Sequence, residues 1–360
     1  MNKKYFVTDL YAHASEHSLF SKAFIQYFKD KDTIFLLNSI HQKFVDNKSI
    51  SRTFPFKDSN VKNKWLRLFN REIIKLFTLI AYIPYIVITR RKLCILGASN
   101  LQFFILSFLF FLKPKIIVHG QAESLMTNKN DKSLAARLFI NGFQRLVKHK
   151  AKLLFLSYHI KNNIKEKGSF YFIKHPLPKN GILGRELSAK KDSKLRIAMV
   201  GLLRNDKKNS NLIYSLNVND NVELWAIGRA HHDFIINHQS NVKFKIWDSV
   251  YTDEEFEEAI KDIDAFLYLF NNEQYKMTAS ATALDAVIYQ KIVFTLENDA
   301  VQSLLENYKN VYVANSIDEL SNLINEFKWE NKQAISKEII NDYILCDNNK
   351  DIVTIEEWLK

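Results

Sequence analysis

Special-backbone residues are scarce in this chain of 360 residues, which has 8 Gly and 5 Pro. Collagen-like and low-complexity organisation, which need Gly or Pro in bulk, are therefore excluded. No repeat of 20–50 residues is present either, so a solenoid is not expected. The two cysteines, Cys94 and Cys346, lie far apart and lack metal-ligand spacing. A disulfide scaffold is excluded, and a reducing compartment is the simpler reading. Also missing is an apolar run of the ~20 residues that cross a bilayer. The longest are LFTLIAYIPYIVI (76–88) and LQFFILSFLFFL (101–112), which fit either buried core helices or a surface lying against lipid. The opening MNKKYFVTDLYAHASEHS has no apolar core of signal-peptide length, so a cytoplasmic chain is expected.

What is present is a globular composition, 47% hydrophobic and 25% charged, in a length that suits two domains of ordinary size. Charge divides the chain. Residues 1–194 carry 35 Lys and Arg against 12 Asp and Glu, whereas residues 195–360 carry 16 against 27. A basic half studded with aromatics, as in FPFKDSNVKNKWLRLFNREIIKLF and ARLFINGFQRLVKHKAK, adheres to anionic surfaces. With no zinc finger, RNA-recognition signature or basic-region heptad, nucleic acid is not an expected partner. An anionic membrane surface is, on the inner face of the cell membrane.

Short apolar runs alternate with helix-length segments throughout. KYFVTDL, TIFLLNS, KLCILGAS, KIIVHGQ, KLLFLSY and FYFIKHP read as strands in the first half; LRIAMVGLL, VELWAIG, VKFKIWD, DAFLYLF, KIVFTLE and VYVAN read as strands in the second. This alternation implies parallel βαβ units and an α/β fold of two Rossmann-like domains. They are expected to face one another across a cleft at the C-terminal ends of their strands. KHPLPKNGILGRELSAKKDSK (174–194), with Pro176, Pro178 and Gly181, reads as the break between them. The expected boundaries are 1–175, a linker 176–194, 195–335, and terminal helices over 336–360 that pack back on the first domain.

Directly after the first strand, His13, Glu16 and His17 spell H-x-x-E-H. On a helix, two His four apart share a face and can bind zinc, with the Glu activating a water. Here the pattern falls on a strand-to-helix loop or a first helical turn, and the nearest acidic third ligand on a helical pattern is Glu72. A polar loop with solvated histidines, or a site of another kind, are the alternatives.

The second half resembles the nucleotide-binding domain of GT-B glycosyltransferases, in particular the family 4-like bacterial enzymes that build surface polysaccharides. Four segments carry the resemblance in the family's order: IAMVGLLRNDKKN (197–209), VELWAIGRA (222–230), YTDEEFEEAIKDIDAFLYLF (251–270) and TASATALDAVIYQKIVF (278–294). They cover about 150 residues; the first half resembles the family by layout. Two departures mark a divergent branch. In the family's E-x7-E signature Asp285 takes the second position and Met277 stands eight residues before it, and Gln290-Lys291-Ile292 stands where the family has Gly-Lys-Pro. The stereochemistry of transfer and the donor's identity stay open.

The resemblance implies a donor site for a nucleotide-sugar in the second domain. Gly201 and Gly228 would end the first two strands, and Arg204, Lys207 and Lys208 would neutralise the diphosphate. Ser280 and Thr282 would hold it at a helix start, and Asp285 would accept hydrogen bonds from the ribose. A plain helix cap and a solvated loop are the alternative roles for these residues. The resemblance also puts the loop after the first strand near the acceptor. His13, Glu16 and His17 then read as an acceptor-side site, able to supply the base that deprotonates a hydroxyl. His119, at a strand end in KIIVHGQ, resembles the histidine that family members aim at the donor sugar, or else is a core histidine bonded to backbone. Metal and cofactors are not expected, since cations and a helix dipole serve the diphosphate. The implied activity is hexosyl transfer to a lipid-linked or growing saccharide. A sugar-nucleotide epimerase of the same architecture, or a non-catalytic nucleotide-binding membrane adaptor, is the alternative.

Overall fold

The computed structural model describes residues 3–13, 16–45, 52–54, 66, 70–126, 133–179, 194–249, 251–331, 337–347 and 349–360. The chain forms two compact units, Met1–Gly181 with Asn341–Lys360, and Ile182–Ile340. Most of the linker read from the sequence, residues 180–193, lies outside the described residues, as does much of the basic stretch 54–69.

The first unit is built on a parallel sheet of order β3-β2-β1-β4-β5-β6-β7. Its strands are β1 (Lys4–Asp9), β2 (Asp32–Leu37), β3 (Arg52–Thr53), β4 (Lys92–Gly97), β5 (Lys115–Val118), β6 (Lys152–Phe155) and β7 (Ser169–Phe172). The central strands are near-continuous apolar runs because helices cover both sheet faces; Phe6, Val7, Cys94, Ile95 and Ile116 are fully buried. Helix α1 (Ser18–Phe28) brings Phe20, Phe24 and Phe28 to one side at four-residue spacing, with Phe28 against Tyr5 at 5.2 Å between ring centres. Helix α2 is Ser39–Val45, and α3 (Lys75–Ile88) continues from a π-helical turn, Asn70–Ile74. Helix α4 (Asn100–Leu106) starts in a capping box of Ser99 and Gln102, and α5 is Leu134–Lys148. The order runs one way from β1 to β3 and returns to β4, so right-handed crossovers put α1 and α2 on one sheet face and α3, α4 and α5 on the other.

The end of the chain returns to this unit. Leu177 bridges Ile344, and the last helix, Asp351–Leu359, lies over β6 and β7, with Trp358 fully buried and its indole N–H donating to Lys152 O at 3.1 Å. Lys92 and Lys152 donate to the carbonyls of Leu359 and Glu357 at 2.6 and 2.7 Å, cations at a helix C-terminus where the peptide dipoles favour them.

The second unit holds a parallel sheet of order β10-β9-β8-β11-β12-β13. These are β8 (Leu195–Leu203), β9 (Val222–Ala230), β10 (Lys243–Ile246), β11 (Ala265–Tyr268), β12 (Ile292–Leu296) and β13 (Val311–Ala314). Its core joins Ile197, Met199, Leu224, Leu267, Phe294 and Leu320. The fold expected from the sequence, two Rossmann-like α/β units, is the fold observed; of the terminal helices expected over 336–360, Asp351–Leu359 packs on the first unit, whereas Lys337–Asn341 falls almost wholly within the span of the second. All twelve strands read from the sequence are present; among the described residues the two-residue edge strand β3 is the addition. Among the described residues no helix is long and apolar enough to cross a membrane.

Gly201 and Gly228 face each other across β8 and β9, at φ +88° and +148°. A Cβ on Gly228 would come within 1.8 Å of the Gly201 carbonyl oxygen, which belongs to backbone and cannot rotate away. Gly228→Ala is therefore expected to destabilise the second unit by about 3 kcal/mol or more, read as a lowered midpoint in urea denaturation followed by circular dichroism. A midpoint within error of the parent would show that the two strands separate freely here.

Candidate functional site

In parallel sheets of this kind ligands bind at the C-terminal ends of the strands, where the order reverses. In the first unit that point is the β1/β4 boundary. Asp9 ends β1, and its buried carboxylate accepts from the backbone N–H of Tyr11 at 3.0 Å and of Ala12 at 2.9 Å, and from Ser21 Oγ at 3.3 Å. These bonds fix the start of the HASEH loop. Two cations grip the same loop from the 70–88 segment: Lys75, fully buried, donates to Ala12 O at 3.3 Å, and Arg71 pairs with Glu16 at 3.1 Å.

His17 is the residue before α1 and adopts φ 56°, the left-handed region. His13 and His17 therefore do not stack one turn apart on a helix, the geometry that the zinc reading needs. Among the described residues no group of three or more His, Cys, Asp or Glu is placed to hold a metal ion. Instead the His17 ring meets His119 edge-on at 4.9 Å and Tyr11 at 5.6 Å. Phe20 lies beneath, 4.9 Å from His119 and 5.3 Å from His175.

His119 follows β5, and its Nε2 lies 2.7 Å from Leu96 O. A carbonyl only accepts, so Nε2 carries the proton and Nδ1 keeps a lone pair. Burial, and next the neighbouring His17, push His119 down to about 4, so the ring is neutral at pH 7. His175 is pushed down to about 3 by burial and then by His119 and His17. For Asp9, burial acts to raise the carboxyl, but His41, the Ala12 N–H, His17 and His119 together outweigh it and hold it below its ordinary value. The result is a buried carboxylate among imidazoles, one of which, His17, is exposed. Glu72, considered above as a zinc ligand, instead accepts from Ser99 Oγ and is raised by burial.

In the second unit the order reverses between β8 and β11, and the glycine pair lies near the ends of β8 and its other neighbour, β9. The glycine pair opens onto a short helix, Asn205–Lys208, whose last side chain turns inward: Lys208 is only 6% exposed. Its Nζ lies 3.4 Å from Thr282 Oγ1 and 5.4 Å from the centre of the Phe270 ring. Burial lowers Lys208 to about 8, against the pull of Asp285. Asp285 is raised to about 7 by burial, with Lys208 opposing and Asp253 adding. Tyr268 holds the Thr282 carbonyl at 3.0 Å.

The other donor-side candidates are placed differently. Arg204 forks onto Asp206, while Asp233 receives the N–H groups of Asn205 at 3.0 Å and Asp206 at 2.8 Å and the His231 ring at 2.6 Å. Arg204 thus has a carboxylate partner of its own. Lys207 is half-buried. Ser280 and Thr282 do not begin an α-helix: a 3-10 turn, Ala281–Ala283, leads into the helix Leu284–Ile288. Ser280 is buried and makes no side-chain cap bond, so it is not a plain cap.

A cavity of about 310 Å3, lined by Tyr5, Tyr27, Asp30, Lys31 and Glu356, lies at the opposite, N-terminal edge of the first sheet. It is remote from the C-terminal ends of that sheet's strands.

No protein-family model matches the chain, and no curated protein matches it by sequence. Solved structures do match in fold. HepE (Alr3699) of Anabaena, solved with UDP and glucose, superposes with a TM-score of 0.59 at 10% identity over 98% of this chain and 95% of that one. The lipopolysaccharide outer core galactosyltransferase WaaB gives 0.58 at 14% identity over 99% of both. The N-terminal domain of Candida albicans trehalose-6-phosphate phosphatase gives 0.58 at 12% identity, covering 100% and 97%. At these identities the likeness is one of fold, and chemistry has to be argued from the side chains.

Proposed function

We propose that the chain is a glycosyltransferase that moves a hexose from a nucleotide-sugar to a lipid-linked or growing saccharide, in the building of a cell-surface polysaccharide such as a capsule, O-antigen or exopolysaccharide. The observation that carries the reading is Lys208, a buried ammonium beside Thr282 and Asp285 at the glycine-lined ends of β8 and β9. A diphosphate supplies the charge that a buried lysine needs, and Asp285 offers a carboxylate for ribose hydroxyls. HepE's complex with UDP and WaaB's transferase activity, both on this fold, agree with that use.

The first unit would serve the acceptor. His13, Glu16 and His17 form the loop after β1, and His119 presents a neutral ring beside His17. A base there would take the proton of the attacking hydroxyl as the sugar's anomeric carbon leaves the diphosphate oxygen. The basic first half would keep the enzyme on the cytoplasmic face of the membrane, where a polyprenyl-linked acceptor lies.

The test is a screen of nucleotide-sugars for slow hydrolysis by the full chain. One donor is expected to release its nucleoside diphosphate and free sugar, because water substitutes slowly for the acceptor. Interconversion of sugars without release would make it an epimerase; binding without turnover would make it an adaptor.

A further inference from the structure

The two apolar runs that fit either core or lipid are resolved by their exposure. Helix α3 buries Leu76, Leu79 and Ile86 but turns Phe77, Ala81, Pro84 and Ile88 outward, a stripe at four, three and four residues with no charge in it. Phe77 is 65% and Ile88 79% exposed, and on the 3-10 turn Ser107–Leu112 Phe111 is 61% exposed. Both segments belong to the sheet face that carries α3, α4 and α5.

Cations border this apolar surface and lean on it. Arg52 lies over the Tyr82 and Tyr85 rings of α3 at 5.3 and 5.5 Å, and Arg145 over Phe108 at 3.7 Å. Three connections into adjacent strands, β4, β5 and β6, pass through a left-handed residue that is a cation where glycine is the usual choice: Arg90, Lys113 and Lys150, at φ 53°, 48° and 54°. They form a row along the N-terminal edge of the sheet. Between Glu72 and Glu123 the sequence has no Asp or Glu. Asp30, Asp32 and Glu356 gather instead around Tyr27 of α1, Asp32 also pairing with Arg91 at 2.9 Å.

We infer that this surface docks on an anionic lipid bilayer, with the α3 stripe and Phe111 entering the headgroup and acyl boundary and the row of Arg90, Lys113 and Lys150 meeting lipid phosphates. The inference deepens the membrane part of the reading above, replacing a diffuse charge attraction with one inserted surface. Insertion of apolar side chains is insensitive to salt, whereas the cation contacts are screened.

The experiment is co-sedimentation of the full chain with phosphatidylglycerol-containing vesicles and with pure phosphatidylcholine vesicles, at low and high salt. Ile88→Ser combined with Phe111→Ser is expected to weaken binding to the anionic vesicles about tenfold or more at both salt concentrations. Arg90→Gly combined with Lys113→Gly, which removes charge while suiting the left-handed backbone, is expected to weaken it roughly fivefold per cation at low salt only. Equal binding of the Ser variant and the parent overturns the inference, as does equal binding of the parent to phosphatidylcholine. A concentration-dependent dimer of the parent that the Ser variant loses would give the stripe to a second copy and overturn it too. Nucleotide-sugar hydrolysis, measured on the same samples without vesicles, fails or stands independently, so loss of the lipid result leaves the transferase reading intact.

Discussion

The nucleoside diphosphate of the donor found by the hydrolysis screen is expected to bind at neutral pH and to lose up to about tenfold in affinity per pH unit once the pH passes about 8, where the buried Lys208 gives up its proton. Calorimetric titration across that range measures it. Lys208→Met should abolish the pH dependence and cost about 1.5–3 kcal/mol of binding, roughly 10-fold to 150-fold, because a charge-assisted contact to the diphosphate is gone. A pH dependence that persists in Lys208→Met would place the phosphate elsewhere. The same pair shapes the stability of the unliganded protein. Asp285, raised to about 7, contributes stability that is full below the unfolded carboxyl's range and is lost as pH rises through about 7. Lys208, lowered to about 8, penalises the fold while it is charged, and that penalty is relieved as pH rises from about 8 toward the ordinary lysine range.

The second large effect is expected at His17. His17→Asn should lower turnover by two to four orders of magnitude, about the range for loss of a general base, with nucleoside-diphosphate affinity unchanged because the residues proposed for the donor belong to the second unit. Asn is chosen because His17 sits at φ 56°, which Asn tolerates and Ala does not. His13→Ala should act in the same direction, and activity should survive chelation. Steady-state kinetics with the donor found by the hydrolysis screen decides it. Unchanged turnover in His17→Asn would remove this ring from proton transfer, and stoichiometric zinc lost with His13 and His17 would revive the metal reading.

The central strands were legible because each is a short, nearly continuous apolar run buried on both faces, as LRIAMVGLL and KLCILG show. Strand β3 was not, since Arg52–Thr53 carries no pattern and owes its place to Leu36 and Leu37 alongside. Adjacent lysines in RNDKKN look alike on paper, but a single helical turn buries Lys208 and leaves Lys207 only half-buried. Arg204 read as a free cation because nothing in sequence shows that Asp206 would fold back onto it. Asp9 went unnoticed for a related reason. It is one acid ending an apolar strand, and its meaning comes from His41, which follows β2, and His119, which follows β5; they reach it only once β2, β1, β4 and β5 are side by side.

The return of the last helix to the first unit bears on how the protein is made. A ribosome delivers residues 1–181 first, yet the surface over β6 and β7 waits for Trp358, which arrives after the whole of the second unit. Units normally complete themselves in the order of synthesis. Here the later one can finish while the earlier still exposes the slot for its closing piece, so the nascent chain carries a sticky, half-built sheet until the helix of Trp358 emerges.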